Sequence, residues 1–104
     1  MSRSQITFDI EMDENKVPEK IQWAAGDDGS GVAKAISVSI WDEGQENTLR
    51  IDLWNKEMSQ DEMKQFFHQT ILTLTDSYER ATDDSHTAEG VRMFCEDLKK
   101  QMQI

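Results

Sequence analysis

The apolar positions of the chain follow two kinds of spacing. From Ser59 to Ala81, Met63, Phe66, Phe67, Thr70, Ile71, Leu74, Tyr78 and Ala81 recur at steps of three and four. That is one stripe of an amphipathic α-helix, and the rest of the chain is expected to cover it. Ser59 with Glu62 three residues later spells a capping box, which gives partners to two N–H groups at the helix start. Met58 and Met63 flank the cap as a hydrophobic staple. The stripe breaks near Thr82, where Asp83, Asp84 and Ser85 suit the capping of another helix. A last helix is predicted from about His86 to Met102, with Ala88, Val91, Phe94, Cys95, Leu98 and Met102 as its stripe. Gly90 weakens it by about 1 kcal/mol relative to alanine.

Before Ser59 the spacing is two. Ile6, Phe8, Ile10 and Met12 alternate with Thr7, Asp9 and Glu11, as in a half-buried strand. Ile21, Trp23 and Ala25 alternate with Lys20 and Gln22. A turn centred on Asn15-Lys16 sets Ile10 opposite Ile21 and Phe8 opposite Trp23, both apolar pairs on one face. Pro18 cannot donate to a ladder, which puts it at a strand start or an edge. Gly26 to Gly31 reads as a polar turn carrying the chain across the sheet. It is not an EF-hand loop, since the twelfth position counted from Asp27 is Val38 rather than a bidentate Glu. A third strand is predicted over Ala33–Trp41 and a fourth over Thr48–Trp54, joined by a tight turn at Gly44-Gln45. That register pairs Ile40 with Leu49, Val38 with Ile51 and Ile36 with Leu53, the expected core face. Ser37, Ser39, Trp41, Arg50, Asp52 and Trp54 share the other face. The predicted fold class is α+β: a four-stranded antiparallel sheet from two hairpins, followed by two helices packed on one face (ββββαα). One domain over residues 1–104 accommodates it.

Charge narrows the partners. The formal net charge is −10, and acids outnumber bases 12 to 6 up to Met58 and 9 to 5 beyond it. No basic face can form to neutralise phosphates, which argues against nucleic acid and against an anionic lipid surface. Acidity serves solubility or draws a basic partner. A lone cysteine, Cys95, excludes an internal disulfide and fits a reducing compartment. The first residues lack the apolar run of a signal peptide, and no stretch approaches the roughly 20 apolar residues of a membrane helix. The expectation is a cytoplasmic protein without membrane insertion.

Candidate chemistry is sparse. His68 lies off the apolar stripe of its helix and is expected to be exposed; a catalytic base would need a positioned partner and a cleft. His86 stands at a helix start, where the dipole disfavours an imidazolium. Cys95 falls on a buried stripe and reads as a small hydrophobe, because a reactive thiolate needs an accessible, electropositive setting. Two separated histidines and one cysteine make no metal cluster. Asp27-Asp28 and Asp83-Asp84 read as solvated or capping pairs. The glycine spacing of residues 26–31 is not that of a phosphate-binding loop, and no nucleophile elbow is present. The chain reads as a non-enzyme without cofactor or metal.

Surface remains. Trp41 and Trp54 project from an otherwise polar sheet face, while Leu72 and Met93 lie opposite their helices' stripes. Tryptophan is enriched at interface hot spots, and clustered exposed apolar groups mark partner sites. Trp41, Trp54, Arg50, His68 and Leu72 are therefore the candidate interaction surface, for another protein or a second copy of the chain.

Three stretches together, VPEKIQW (Val17 to Trp23), TLRIDLW (Thr48 to Trp54) and DEMKQFFHQT (Asp61 to Thr70), with RATDD (Arg80 to Asp84), resemble the gliding-motility-associated GldC family. The likeness runs in the same order over nearly the whole chain. It implies a small, soluble, cytoplasmic accessory protein of surface gliding, with no catalytic activity or cofactor and hence no active-site residues to carry over. It includes His68, which raises that residue's standing as a surface contact. Residues and resemblance together predict a non-enzymatic adaptor acting by protein–protein interaction. The alternative is a small chaperone: four strands then two helices, with strong acidity, also describe the export chaperone SecB, at the level of element order alone. An enzyme using His68 or an acid pair is the third reading, and it requires a concave site around those groups.

Overall fold

A computed structural model describes residues 2–104. Contacts divide the chain into two compact units, one up to Met58 and one from Ser59 to Ile104, and each is described by itself.

The first unit holds five strands in two antiparallel sheets: β1 (Thr7–Met12), β2 (Pro18–Ala24) and β3 (Ser30–Ala33) in the order β1-β2-β3, and β4 (Ala35–Asp42) paired with β5 (Asn47–Trp54). The expected pairs of the first hairpin are present, Ile10 with Ile21 and Phe8 with Trp23, and Pro18 opens β2 beside a register shift at Glu11/Met12. The turn between them is organised by Asp13. Its carboxylate accepts the N–H groups of Asn15 at 2.8 Å and Val17 at 3.0 Å, and Lys16 takes a left-handed φ of 62°. Lys56 reaches the same carboxylate at 2.5 Å. The Lys56 bond first, and then the Val17 amide, bring the Asp13 carboxyl down to about 2.

The expected single four-stranded sheet is corrected to three strands plus two. The stretch predicted as one strand from Ala33 to Trp41 is broken at Lys34. The glycine-rich segment does not merely cross the sheet. Gly26–Asp28 forms a short 3-10 turn, Ala25 N–H donates to the Gly29 carbonyl at 2.8 Å, and the chain returns as β3 against β2. Gly29, at φ 117°, adopts a conformation that side chains resist. Gly31 lies under the Trp23 indole, where a Cβ would stand 3.0 Å from Nε1. Small residues thus let an added strand close against β2, and Ile21 on that central strand is fully buried.

The β4–β5 register is as expected: Ile40 with Leu49, Val38 with Ile51, Ile36 with Leu53. The connection differs. It spans four residues closed by Glu46 N–H to the Asp42 carbonyl at 2.9 Å, with the left-handed residue at Glu46 rather than at Gly44. Asp42 accepts the Gln45 N–H at 2.7 Å, which organises the turn from its first residue. Of the aliphatic face expected as core, Ile40, Leu49 and Ile51 near the turn are exposed. Beyond β5, the buried Asn55 donates its backbone N–H to the Lys34 carbonyl at 2.9 Å, and its side-chain amide faces the Glu19 carbonyl at 3.5 Å. One residue thereby ties the end of the ribbon to the strand break and to β2.

The second unit is a helical hairpin of α1 (Gln60–Thr82) and α2 (Ser85–Met102). The capping box forms as read from the sequence: Ser59 Oγ accepts the Glu62 N–H and Glu62 Oε1 accepts the Ser59 N–H, each at 3.0 Å. Asp83 in a left-handed conformation ends α1, and Asp84 caps α2 by accepting the Thr87 N–H at 3.0 Å. The helices meet at Thr75, Ala88 and Cys95, the buried residues of the pair. The α1 stripe read as core is not this seam. Phe67, Leu74 and Tyr78 are exposed, because α2 lies against α1 about a quarter of a turn away from them.

Candidate interaction surface on the β4–β5 ribbon

Alternation puts Ser37, Ser39, Trp41, Arg50, Asp52 and Trp54 on one face of the ribbon. Trp41 is 68% exposed and Trp54 53%. Trp41 stands opposite Thr48 and Trp54 opposite Ala35, so the indoles sit at opposite ends of the ladder, about 20 Å apart along the strands. They do not form one cluster. They bracket a polar strip.

The strip is fully cross-linked. Arg50 Nη2 meets Asp52 Oδ1 at 2.9 Å and its Nε meets Oδ2 at 3.3 Å. Its remaining donors reach the Ser39 and Ser37 hydroxyls. Ser37 in turn donates to Asp52 Oδ1 at 2.7 Å. The Ser37 hydrogen bond first, and the Arg50 bond second, hold the Asp52 carboxyl below its ordinary range. Exposed ion pairs add little stability. What the network adds is order: a guanidinium tied to one carboxylate and two serines fixes the polar strip between two bulky anchors. Such a face can dock a partner through aromatic burial at its ends and charge-neutral hydrogen bonding between.

The structure assembles Trp41, Arg50 and Trp54 on this one face. His68 and Leu72 belong to the helical unit. His68 was expected to be exposed; it is half-buried along the seam, with Nε2 3.0 Å from the Cys95 carbonyl. Leu72 is likewise half-buried rather than exposed. The apolar stripe is the wrong reference for both, because α2 covers the flank of α1 on which they lie. Sequence reading missed Arg92, which bridges Asp76 at 2.9 Å and Glu79 at 2.7 Å across the hairpin. The Glu79 bond first, and then Asp76, raise the Arg92 guanidinium further above its usual value. Two acids on α1 and one arginine on α2 were the available signal. Cys95 is buried, as its stripe position implied. Among the described residues, no group of three or more His, Cys, Asp or Glu side chains could hold a metal ion. No helix among them is long and apolar enough to cross a membrane.

The sequence profile of the GldC-like family, described as gliding motility-associated protein GldC-like, matches residues 18–104. The chain belongs to this family. No curated protein and no solved structure matches it.

Proposed function

We propose that this member of the GldC-like family is a non-enzymatic, cytoplasmic accessory protein of gliding motility that works by holding a protein partner on the β4–β5 face. The observation that carries the reading is the pair of exposed tryptophans bracketing the Arg50–Asp52–Ser37–Ser39 strip. Exposed indoles cost a soluble protein solubility unless something uses them, and an interface is their most economical use. The acidic balance supports a protein partner over nucleic acid or an anionic membrane.

The test pairs cells with purified protein. In a gliding bacterium lacking its own copy, the wild-type chain restores gliding, and a Trp41→Ser/Trp54→Thr variant of unchanged circular dichroism does not. Affinity capture from the same cells retains one folded protein with the wild type and loses it with the variant. Full rescue by the variant rejects this face as the working surface. Capture of many unfolded chains selects the chaperone reading instead.

A further inference from the structure

The helical hairpin has two unlike sides. One is sealed by its own polar contacts: Arg92 with Asp76 and Glu79, and His68 with the Cys95 carbonyl. The other carries Phe67, Leu74 and Tyr78 of α1. Helical spacing, with the two helices antiparallel across the Thr75–Ala88–Cys95 seam, brings Phe94 of α2 to the same side. These four side chains are 50%, 60%, 41% and 58% exposed. In a chain with 31% charged residues, the α1 positions on this side, Met63, Phe67, Thr70, Leu74, Tyr78 and Ala81, include no Asp, Glu, Lys or Arg.

We propose that this apolar side of the helical hairpin is the interface of a homodimer, in which α1 and α2 of one copy pack face to face on α1 and α2 of a second to form a four-helix bundle. Three observations select a second copy. The first is charge. At a net −10 two copies repel each other, so they meet most readily through a surface poor in charge; Asp84, the acceptor of the Tyr78 hydroxyl, stands at its edge, and the α1 positions along it offer a basic partner no acid.

The second is polar satisfaction. The hydroxyls on this side already have partners within the chain. Thr70 donates to the Phe66 carbonyl at 2.7 Å, Ser77 faces the Thr73 carbonyl at 3.5 Å, and Tyr78 donates to Asp84 at 2.8 Å. These hydroxyls can therefore be dried without being left unpaired.

The third is area and permanence. The four exposed side chains offer roughly 400 Å², about half of the ~800 Å² each partner contributes to a stable interface. Thr70 and Ala81 lie on the same side of α1 and extend the patch. The hairpin buries only Thr75, Ala88 and Cys95 within itself. A two-helix unit with so small a core needs a cover whenever it is folded, and another copy of the same chain is always at hand. An isologous pair about a twofold axis meets this need.

Sedimentation equilibrium on the full chain tests the proposal. Wild type is expected at twice 12.0 kDa, with an unfolding midpoint that rises with concentration. Leu74→Arg places a charge at the centre of the patch and should weaken association at least 100-fold. Met93→Arg alters an exposed residue off the patch and should leave the mass unchanged. Trp41→Ser/Trp54→Thr should also stay dimeric, which separates this interface from the ribbon face. The proposal is overturned if wild type is monomeric with a concentration-independent midpoint, as it would be were this side covered within one chain. A dimer that survives Leu74→Arg, or one lost in the tryptophan variant, overturns it as well. The wild-type midpoint decides the matter even if Leu74→Arg does not fold.

Discussion

The β1–β2–β3 sheet and the β4–β5 ribbon start from the same kind of sequence and end differently. Both are hairpins with alternating apolar residues and apolar cross-strand pairs in register. In the first, Ile21 is fully buried; in the second, Ile40, Leu49 and Ile51 are exposed on one face, and Trp41 and Trp54 on the other. What differs is company. β2 is flanked on both sides, and Trp23 folds over Gly31 of the added strand. The ribbon has two strands, and two strands alone bury little. Alternation thus states which residues share a face. It does not state whether that face is covered.

The largest effect expected from this contrast is at Ile21. Ile21→Ala removes a fully buried side chain from the central strand and should cost about 2–5 kcal/mol, read by chemical denaturation. The matching change in the ribbon, Ile51→Ala, should cost distinctly less, because about half of that side chain already meets water. Equal losses would mean that the ribbon's aliphatic face is buried in solution and the contrast is false.

Gly31→Val comes next. Its Cβ would press on the Trp23 indole, and the expected cost is about 1–3 kcal/mol. A shift in tryptophan fluorescence should accompany it. An unperturbed spectrum would show that Trp23 does not lie over β3.

The Asp13 site ties the first turn to Lys56 and so gives the three-stranded side an acid-sensitive contact. Its carboxyl sits at about 2, below the ordinary 3.8. The stabilisation is therefore complete above the ordinary value and is lost as pH falls from there through about 2. Asp13→Asn should remove that part of the acid dependence, measured as the unfolding midpoint against pH. Unchanged acid dependence in the variant would assign the acid sensitivity to other groups.

The smallest effect is expected at Trp54. Trp54→Thr on the open ribbon face, where about half of the indole meets water, should shift stability by no more than about 1 kcal/mol. A loss near that of Ile21→Ala would make Trp54 a core residue and remove the basis for the proposed interaction surface.

Much of the local structure was legible in the chain because it depends on neighbours in sequence. The capping box at Ser59 and Glu62, the end of α1 near Thr82, and both hairpin registers follow from capping residues and from the spacing of apolar positions. β3 was not legible: Ser30, Gly31, Val32 and Ala33 show no alternation, and their pairing depends on the fit of glycine beneath Trp23. The Trp41, Arg50 and Trp54 face could be placed from the register alone. The bonding of Arg50 to Asp52 and the two serines adds what spacing cannot show, namely that the strip between the indoles is cross-linked within itself.

By itself the sequence determined the two helices and the two hairpins, the α1 boundaries, the two registers, the acidity and the family to which the chain belongs. Only the tertiary structure decided that the sheet divides into three strands and two, that His68 and Leu72 turn towards α2, and that Phe67, Leu74, Tyr78 and Phe94 remain uncovered. The physical reason is one of range. Periodicity and caps are set by interactions within a few residues, whereas burial depends on which distant surface arrives to displace the water.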